Sequence, residues 1–215
     1  MSVTGAAGVA RSHFSHQTPE TALIFLIRHG QTEFNVQRRL QGRMDSPLTP
    51  LGIEQAQRMG RVLGAFAEAP ERWRVVSSPL GRTLRTAEIV CRTMGLGCRI
   101  ETDPRLAEIH IGDWEGLSQE EVESNAPGAG SGAGWFFNAP GGETYEDVAE
   151  RVRAFLADQD EADGTLRLLV AHGLSGSILR EVYAGVAHDW ARPPQDAVFR
   201  LWKGVVGRVD EGVDA

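Results

Sequence analysis

Residues 23–35 read LIFLIRHGQTEFN. Five aliphatic or aromatic residues in succession, bounded by an Arg-His-Gly step, fit a strand buried on both faces that ends at a polar sheet edge. A strand covered on both sides needs helices above and below it, so this run predicts an α/β architecture. The remaining pattern agrees. Pro50–Glu68 has Leu51, Ala56, Met59, Val62, Leu63 and Phe66 at helical spacing behind a Thr49 cap with proline at the first helical position. Arg74–Ser78 reads as a strand. Pro79–Gly95 reads as a helix capped by Ser78 and stopped by Gly95.

Further along, Cys98–Thr102 is a third strand candidate, and Leu106–Gly116 has no clear period. Ser118–Glu123 is a short helix candidate, and Ala126–Gly134 is rich in glycine, proline and serine and reads as loop. Glu143–Gln159 is amphipathic, Leu166–Ala171 is aliphatic, and Leu174–Gly185 follows as a helix. Val198–Val209 reads as a hairpin. Strands alternating with helices predict a three-layer α/β/α sandwich around a mostly parallel sheet. One domain over residues 23–210, carrying a loop or lid insertion near 117–140, is expected behind a flexible tail at 1–22.

Composition narrows the chemistry. The 215 residues are 41% hydrophobic and 24% charged with a formal net charge of −7, which argues against nucleic acid or an anionic membrane as the main partner. No run approaches the roughly eighteen apolar residues of a membrane helix, and the first twenty residues lack a continuous apolar signal core, so a cytoplasmic setting is expected. Cys91 and Cys98 are too few for a disulfide framework and read as structural thiols. A homodimer is left open.

In parallel sheets, ligands bind beyond the carboxyl ends of the strands. Three such ends stand out: Arg28-His29, Ser77-Ser78 leading to Arg82, and His172-Gly173. Clustered positive groups cost energy unless an anion compensates them, and a phosphoryl group fits arginine's planar fork.

Motif by motif, the chain resembles the histidine phosphatase superfamily, also called the phosphoglycerate mutase-like family. Arg28–Asn35 resembles its RHG signature, Gln41-Gly42 with Asp45 and Leu48-Thr49 the segment that follows, Ser77–Glu88 its SSPLxRxxxTA stretch, Leu106–Gly116 its LxEixxGxWEG stretch, Pro140–Thr144 its PxGES stretch, and Val170–Gly173 its second histidine motif. The matches run in family order over about residues 23–185.

That resemblance implies roles. His29 would attack phosphorus as a neutral imidazole, with its other nitrogen held by a backbone acceptor. Arg28 and Arg82 would clamp the phosphoryl oxygens, with His172 a further donor, and Glu108 would protonate the leaving group and then activate water. Asn35, Gln41, Gly42, Gly173 and Leu174 would contact substrate. Asp113 and Glu115 stand near Glu108, but their motif positions do not match the acid.

No cofactor is implied, and no acidic cluster suggests a two-metal site, so a metal-independent histidine acid phosphatase-type phosphomonoesterase is expected. Arg38, Arg39 and Arg43 could form a basic rim or a solvated loop. Trp135, Phe136 and Phe137 could close over substrate or pack the loop onto the domain. His13, His16, His110 and His188 lack motif context, and Trp114 reads as packing.

The family contains phosphatases and mutases. The short connection between Arg82 and Glu108 favours hydrolysis of a small phosphate monoester through a phosphohistidine. A phosphoglycerate mutase is the alternative, and a silent phospho-ligand binding protein a second one. Leu174-Ser175 departs from the family, where a second glycine often follows the His-Gly pair, which puts backbone donation there in question.

Overall fold

A computed structural model describes residues 23–209 except 68, 98, 160–163 and 188–193. The tail at 1–22 and residues His13, His16, Cys98 and His188 therefore lie outside the described residues.

The aliphatic run forms strand β1 (Leu23–Arg28), which the one-turn helix α1 (Glu33–Val36) follows, and the strand's side chains alternate between two cores. Leu23, Phe25 and Ile27 pack toward helices α2 (Pro50–Gly64) and α3 (Gly81–Met94). Ile24 and Leu26 pack toward α5 (Tyr145–Ala157) and α6 (Gly173–Ala184). This alternation makes the sheet the middle of three layers.

Strands β2 (Trp73–Ser77), β3 (Ile100–Thr102) and β4 (Leu166–Ala171) run parallel to β1, and β5 (Val198–Trp202) and β6 (Val205–Arg208) add an antiparallel hairpin. The order is β3-β2-β4-β1-β5-β6. All four parallel strands deliver their carboxyl ends to one edge, where the order brings β1, β4 and β2 side by side.

Helix boundaries shift for local reasons. The first long helix stops at Gly64, where i→i+3 bonds such as Phe66 N–H to Leu63 C=O tighten the chain into a turn. Thr144 caps α5 in a reciprocal capping box with Asp147, so Glu143 falls outside that helix. Ser118 forms the same box with Glu121 at the start of α4 (Gln119–Asn125). Ser78 is not the cap of α3: Leu80 occupies that position without a side-chain cap, because the serine hydroxyl faces His172 instead.

Within 117–140, Trp135 and Phe136 are buried in the α5/α6 core beside Trp114. No described helix is long and apolar enough to cross a membrane.

Candidate active site

The backbone at the end of β1 is fastened from two directions. His29 N–H donates to Ala171 C=O at 3.1 Å, extending the pairing with β4. Thr49 N–H donates to Gln31 C=O at 2.9 Å, which seats the start of α2 on the loop after His29. A Cβ on Gly30 would lie 2.2 Å from Gly52 O, and one on Gly52 would lie 2.0 Å from Gln31 O. Only two glycines permit this approach.

His29 is buried, and its Nδ1 lies 2.8 Å from Gly30 O. That contact assigns the Nδ1–H tautomer, since a carbonyl can only accept. Nε2 then carries the lone pair, and Arg82 Nε–H points at it from 3.3 Å. Burial first, then the charges of Arg28 and Arg82, hold the imidazole well below its ordinary pKa. The ring is thus held neutral beside two guanidinium groups, with its Nε2 lone pair facing Arg82.

Arg82 enters from the first turn of α3, completely enclosed. Its Nη1 donates to Met44 C=O at 2.7 Å and to Asp45 Oδ1 at 3.1 Å, and its Nη2 donates to Gly42 C=O at 2.8 Å. Most of the Arg82 donors therefore already hold the 42–45 turn, through the Gly42 and Met44 carbonyls and the Asp45 carboxylate. Arg28 lies over Gly173, where a Cβ would come within 3.3 Å of its Cζ.

Glu108 follows a 3-10 turn at Pro104–Leu106. Its carboxylate accepts Ser175 N–H at 2.9 Å, Leu174 N–H at 3.3 Å and its neighbour Ile109 N–H at 3.1 Å. The concern over Leu174-Ser175 is thereby corrected. Amide donation needs no glycine here, because the Leu174 side chain turns into the core while its N–H faces Glu108 at the start of α6.

His172 stands edge-on to His29, ring centroids 5.2 Å apart. Its Nε2 is 2.7 Å from Ser78 Oγ, and its buried Nδ1 has no hydrogen-bond partner among the described residues. Burial, and then Arg82, His29 and Arg28, hold it well below its ordinary pKa as well. It is buried behind the residues that line the cleft.

The cleft itself is lined by Arg28, His29, Arg82 and Glu108, and by Asn35, Gln41, Gly42, Gly173 and Leu174. Nine of the ten expected site residues therefore share one wall, and His172 backs it. Of the five expected substrate contacts, Asn35 and Gln41 have committed side-chain atoms. Asn35 Oδ1 accepts from Thr32 N–H and Gln195 Nε2, and Gln41 bridges Thr32 and Ser46, so the Gln41 carboxamide is a loop brace.

Other residues come into view only in three dimensions. Arg39, Leu40, Ile109, Ile111 and Phe136 also line the cleft. Phe136 is packed in the core and also lines the cleft. Glu115 accepts Arg43 N–H at 2.8 Å and Met44 N–H at 3.1 Å, which braces the turn that holds Arg82. Arg151 pairs with Glu143 at 3.0 Å and donates to Arg105 C=O and Glu108 C=O, anchoring the Glu108 loop to α5. Asp113 is exposed outside the cleft. Among the described residues no group of three or more His, Cys, Asp or Glu side chains is arranged to hold a metal ion.

Comparison with known proteins places these residues in context. The family model described as "Histidine phosphatase superfamily (branch 1)" matches residues 24–196. A curated relative from Salmonella paratyphi C, named "Probable phosphoglycerate mutase GpmB", is 34% identical over 87% of this chain and 84% of its own. The solved structure of Bacillus stearothermophilus YhfR is 34% identical with a TM-score of 0.73, covering 90% of this chain and 98% of that one. A mycobacterial glucosyl-3-phosphoglycerate phosphatase, solved with VO3, is 32% identical with a TM-score of 0.68, covering 83% of this chain and 91% of that one.

Proposed function

The chain belongs to the histidine phosphatase superfamily, and we propose that within it this protein hydrolyses small-molecule phosphate monoesters through a phosphohistidine on His29. The observation that carries the reading is the pairing of an unprotonated, buried Nε2 on His29 with a carboxylate, Glu108, on the same cleft wall.

In the first step the His29 Nε2 lone pair attacks phosphorus and the ester P–O bond breaks. The Arg82 Nε–H that faces this lone pair passes to a phosphoryl oxygen as phosphorus arrives, and Arg28 adds its charge from the other side. A protonated Glu108 gives its proton to the leaving alkoxide. In the second step Glu108 takes a proton from water, the hydroxide attacks phosphorus, and the N–P bond breaks to return neutral His29.

Hydrolysis is favoured over transfer because only α3, β3 and one 3-10 turn connect Arg82 to Glu108, leaving no long insertion to shield a phosphoenzyme from water. The name carried by the Salmonella relative supports the second reading, a phosphoglycerate mutase. A single assay with phosphoglycerate labelled at phosphorus separates them. A phosphatase releases labelled phosphate faster than it moves the label between positions, and a mutase does the reverse. A binding protein without turnover forms no acid-labile phosphoenzyme and is unaffected by His29→Ala except in ligand affinity.

A further inference from the structure

Beyond the phosphoryl clamp, the cleft changes character. Leu40, Ile109, Ile111, Phe136 and Leu174 supply its remaining wall, and the last four are nearly fully buried, so they form a fixed apolar surface. Ile111 approaches so closely that a Cβ on Gly42 would lie 2.7 Å from its Cγ1, which places this wall against the turn that holds Arg82. Phe136 is braced by Trp135 and Phe137, with ring centroids 5.9 and 5.0 Å away.

The charges in the cleft point the same way. Arg28 and Arg82 flank the nucleophile, and Arg82 already has acceptors for most of its donors. The one other cation on the wall among the described residues is Arg39, at the rim. Its Nη1 donates to Gly116 C=O, and Glu121 lies 3.9 Å away. The one acid on the wall is Glu108. A leaving group with its own carboxylate would sit beside Glu108 and compete with Glu121 for Arg39, whereas an apolar group would move its own apolar face out of water against this wall.

We infer that the preferred substrate is a phosphate monoester whose leaving group is uncharged and carries an apolar face, docked against Phe136, Ile109 and Ile111. This rests on the phosphatase reading and names the class of ester it serves. Phe136 is then a specificity-determining residue: it sets affinity for the leaving group and leaves the phosphoryl chemistry alone.

The test compares three alkyl esters of similar leaving-group basicity by phosphate release: 2-phenylethyl phosphate, glycerol 3-phosphate and 3-phosphoglycerate. The expected kcat/KM order is 2-phenylethyl phosphate first, then glycerol 3-phosphate, then 3-phosphoglycerate, with the first and last separated by at least about tenfold. Phe136→Ala should lower kcat/KM for 2-phenylethyl phosphate by about tenfold, mostly through KM, and leave glycerol 3-phosphate within about twofold. Phe136→Leu should restore most of the loss. Unchanged inhibition by inorganic phosphate in both variants reports that the phosphoryl site is intact, and Ile111→Thr provides the same comparison if Phe136→Ala does not fold. Preference for 3-phosphoglycerate, or equal release from all three esters, overturns the inference alone. Release from none of them overturns the phosphatase reading and this inference with it.

Discussion

Arg82 Nε–H points at His29 Nε2 from 3.3 Å, while His29 Nδ1 is bonded to Gly30 C=O at 2.8 Å. One bond selects the tautomer and the other holds a positive charge against the lone pair. Protonating that nitrogen would abolish the Arg82 bond and set two cations together in a buried site. The relationship explains how burial and two guanidinium charges hold this imidazole neutral below its ordinary pKa.

Removing Arg82 should therefore change both rate and pH dependence. Arg82→Gln is expected to lower kcat by about 10²–10³-fold, the usual cost of losing a transition-state donor. Because the Arg82 charge is one of the causes that depress the His29 pKa, its loss should also move the acid limb of kcat/KM to higher pH. Measurement of the pH–rate profile of both proteins checks the direction. An acid limb that stays in place would show that Arg82 does not set the state of His29.

Glu108→Gln removes the proposed proton donor and keeps one oxygen to accept Ser175 N–H, while the amide nitrogen that replaces the other oxygen cannot accept Leu174 N–H. Activity on alkyl phosphates should fall by about 10²–10⁴-fold, and activity on nitrophenyl phosphate much less, since nitrophenolate leaves without a proton. Equal losses on both esters would count against the acid role.

Stability should fall on the acid side of neutrality. His29 and His172 both have folded-state pKa values well below the ordinary 6.5, so above about 6.5 both folded and unfolded chains hold them neutral and their contribution is fully present. Below that value the unfolded chain takes up protons that the folded chain does not, and stability is lost as pH falls toward the folded pKa, by up to about 1 kcal/mol per pH unit for each histidine. Urea unfolding between pH 7 and 5 measures this slope, and His172→Gln should flatten it.

Gly52→Ala should disturb the nucleophile loop from a distance. The added Cβ would lie 2.0 Å from Gln31 O, so α2 or the loop must move. Overpacking of this kind costs about 1–3 kcal/mol. For a chain of this length that lowers Tm by several degrees. Calorimetry gives the stability change, and a kcat loss larger than that of an equally destabilising core variant would locate the strain at His29.

Much of this was legible in the sequence because it is local. The aliphatic run of β1, the helical spacing in α2 and the capping residue Thr49 depend on neighbours within a few positions. Strand ends are local too, and the sheet-edge rule was enough to group Arg28, His29, Arg82 and His172 before any coordinates.

The direction in which each side chain points was not legible. Ser78 is a plausible helix cap by sequence, yet it bonds a histidine 94 residues away. Glu108 lies 67 residues from Ser175, whose amide it accepts, and Glu115, dismissed as an acid, braces a turn 71 and 72 residues earlier. Phe136 faces the cleft only because its loop folds back over the α5/α6 core. The sequence alone determined the layered fold and the family, since periodicity and short motifs are properties of contiguous chain. Tertiary structure decided the tautomer of His29, the partners of Arg82 and His172 and the apolar wall, because hydrogen bonds and packing require atoms within a few ångströms and only the assembled sheet brings those segments together.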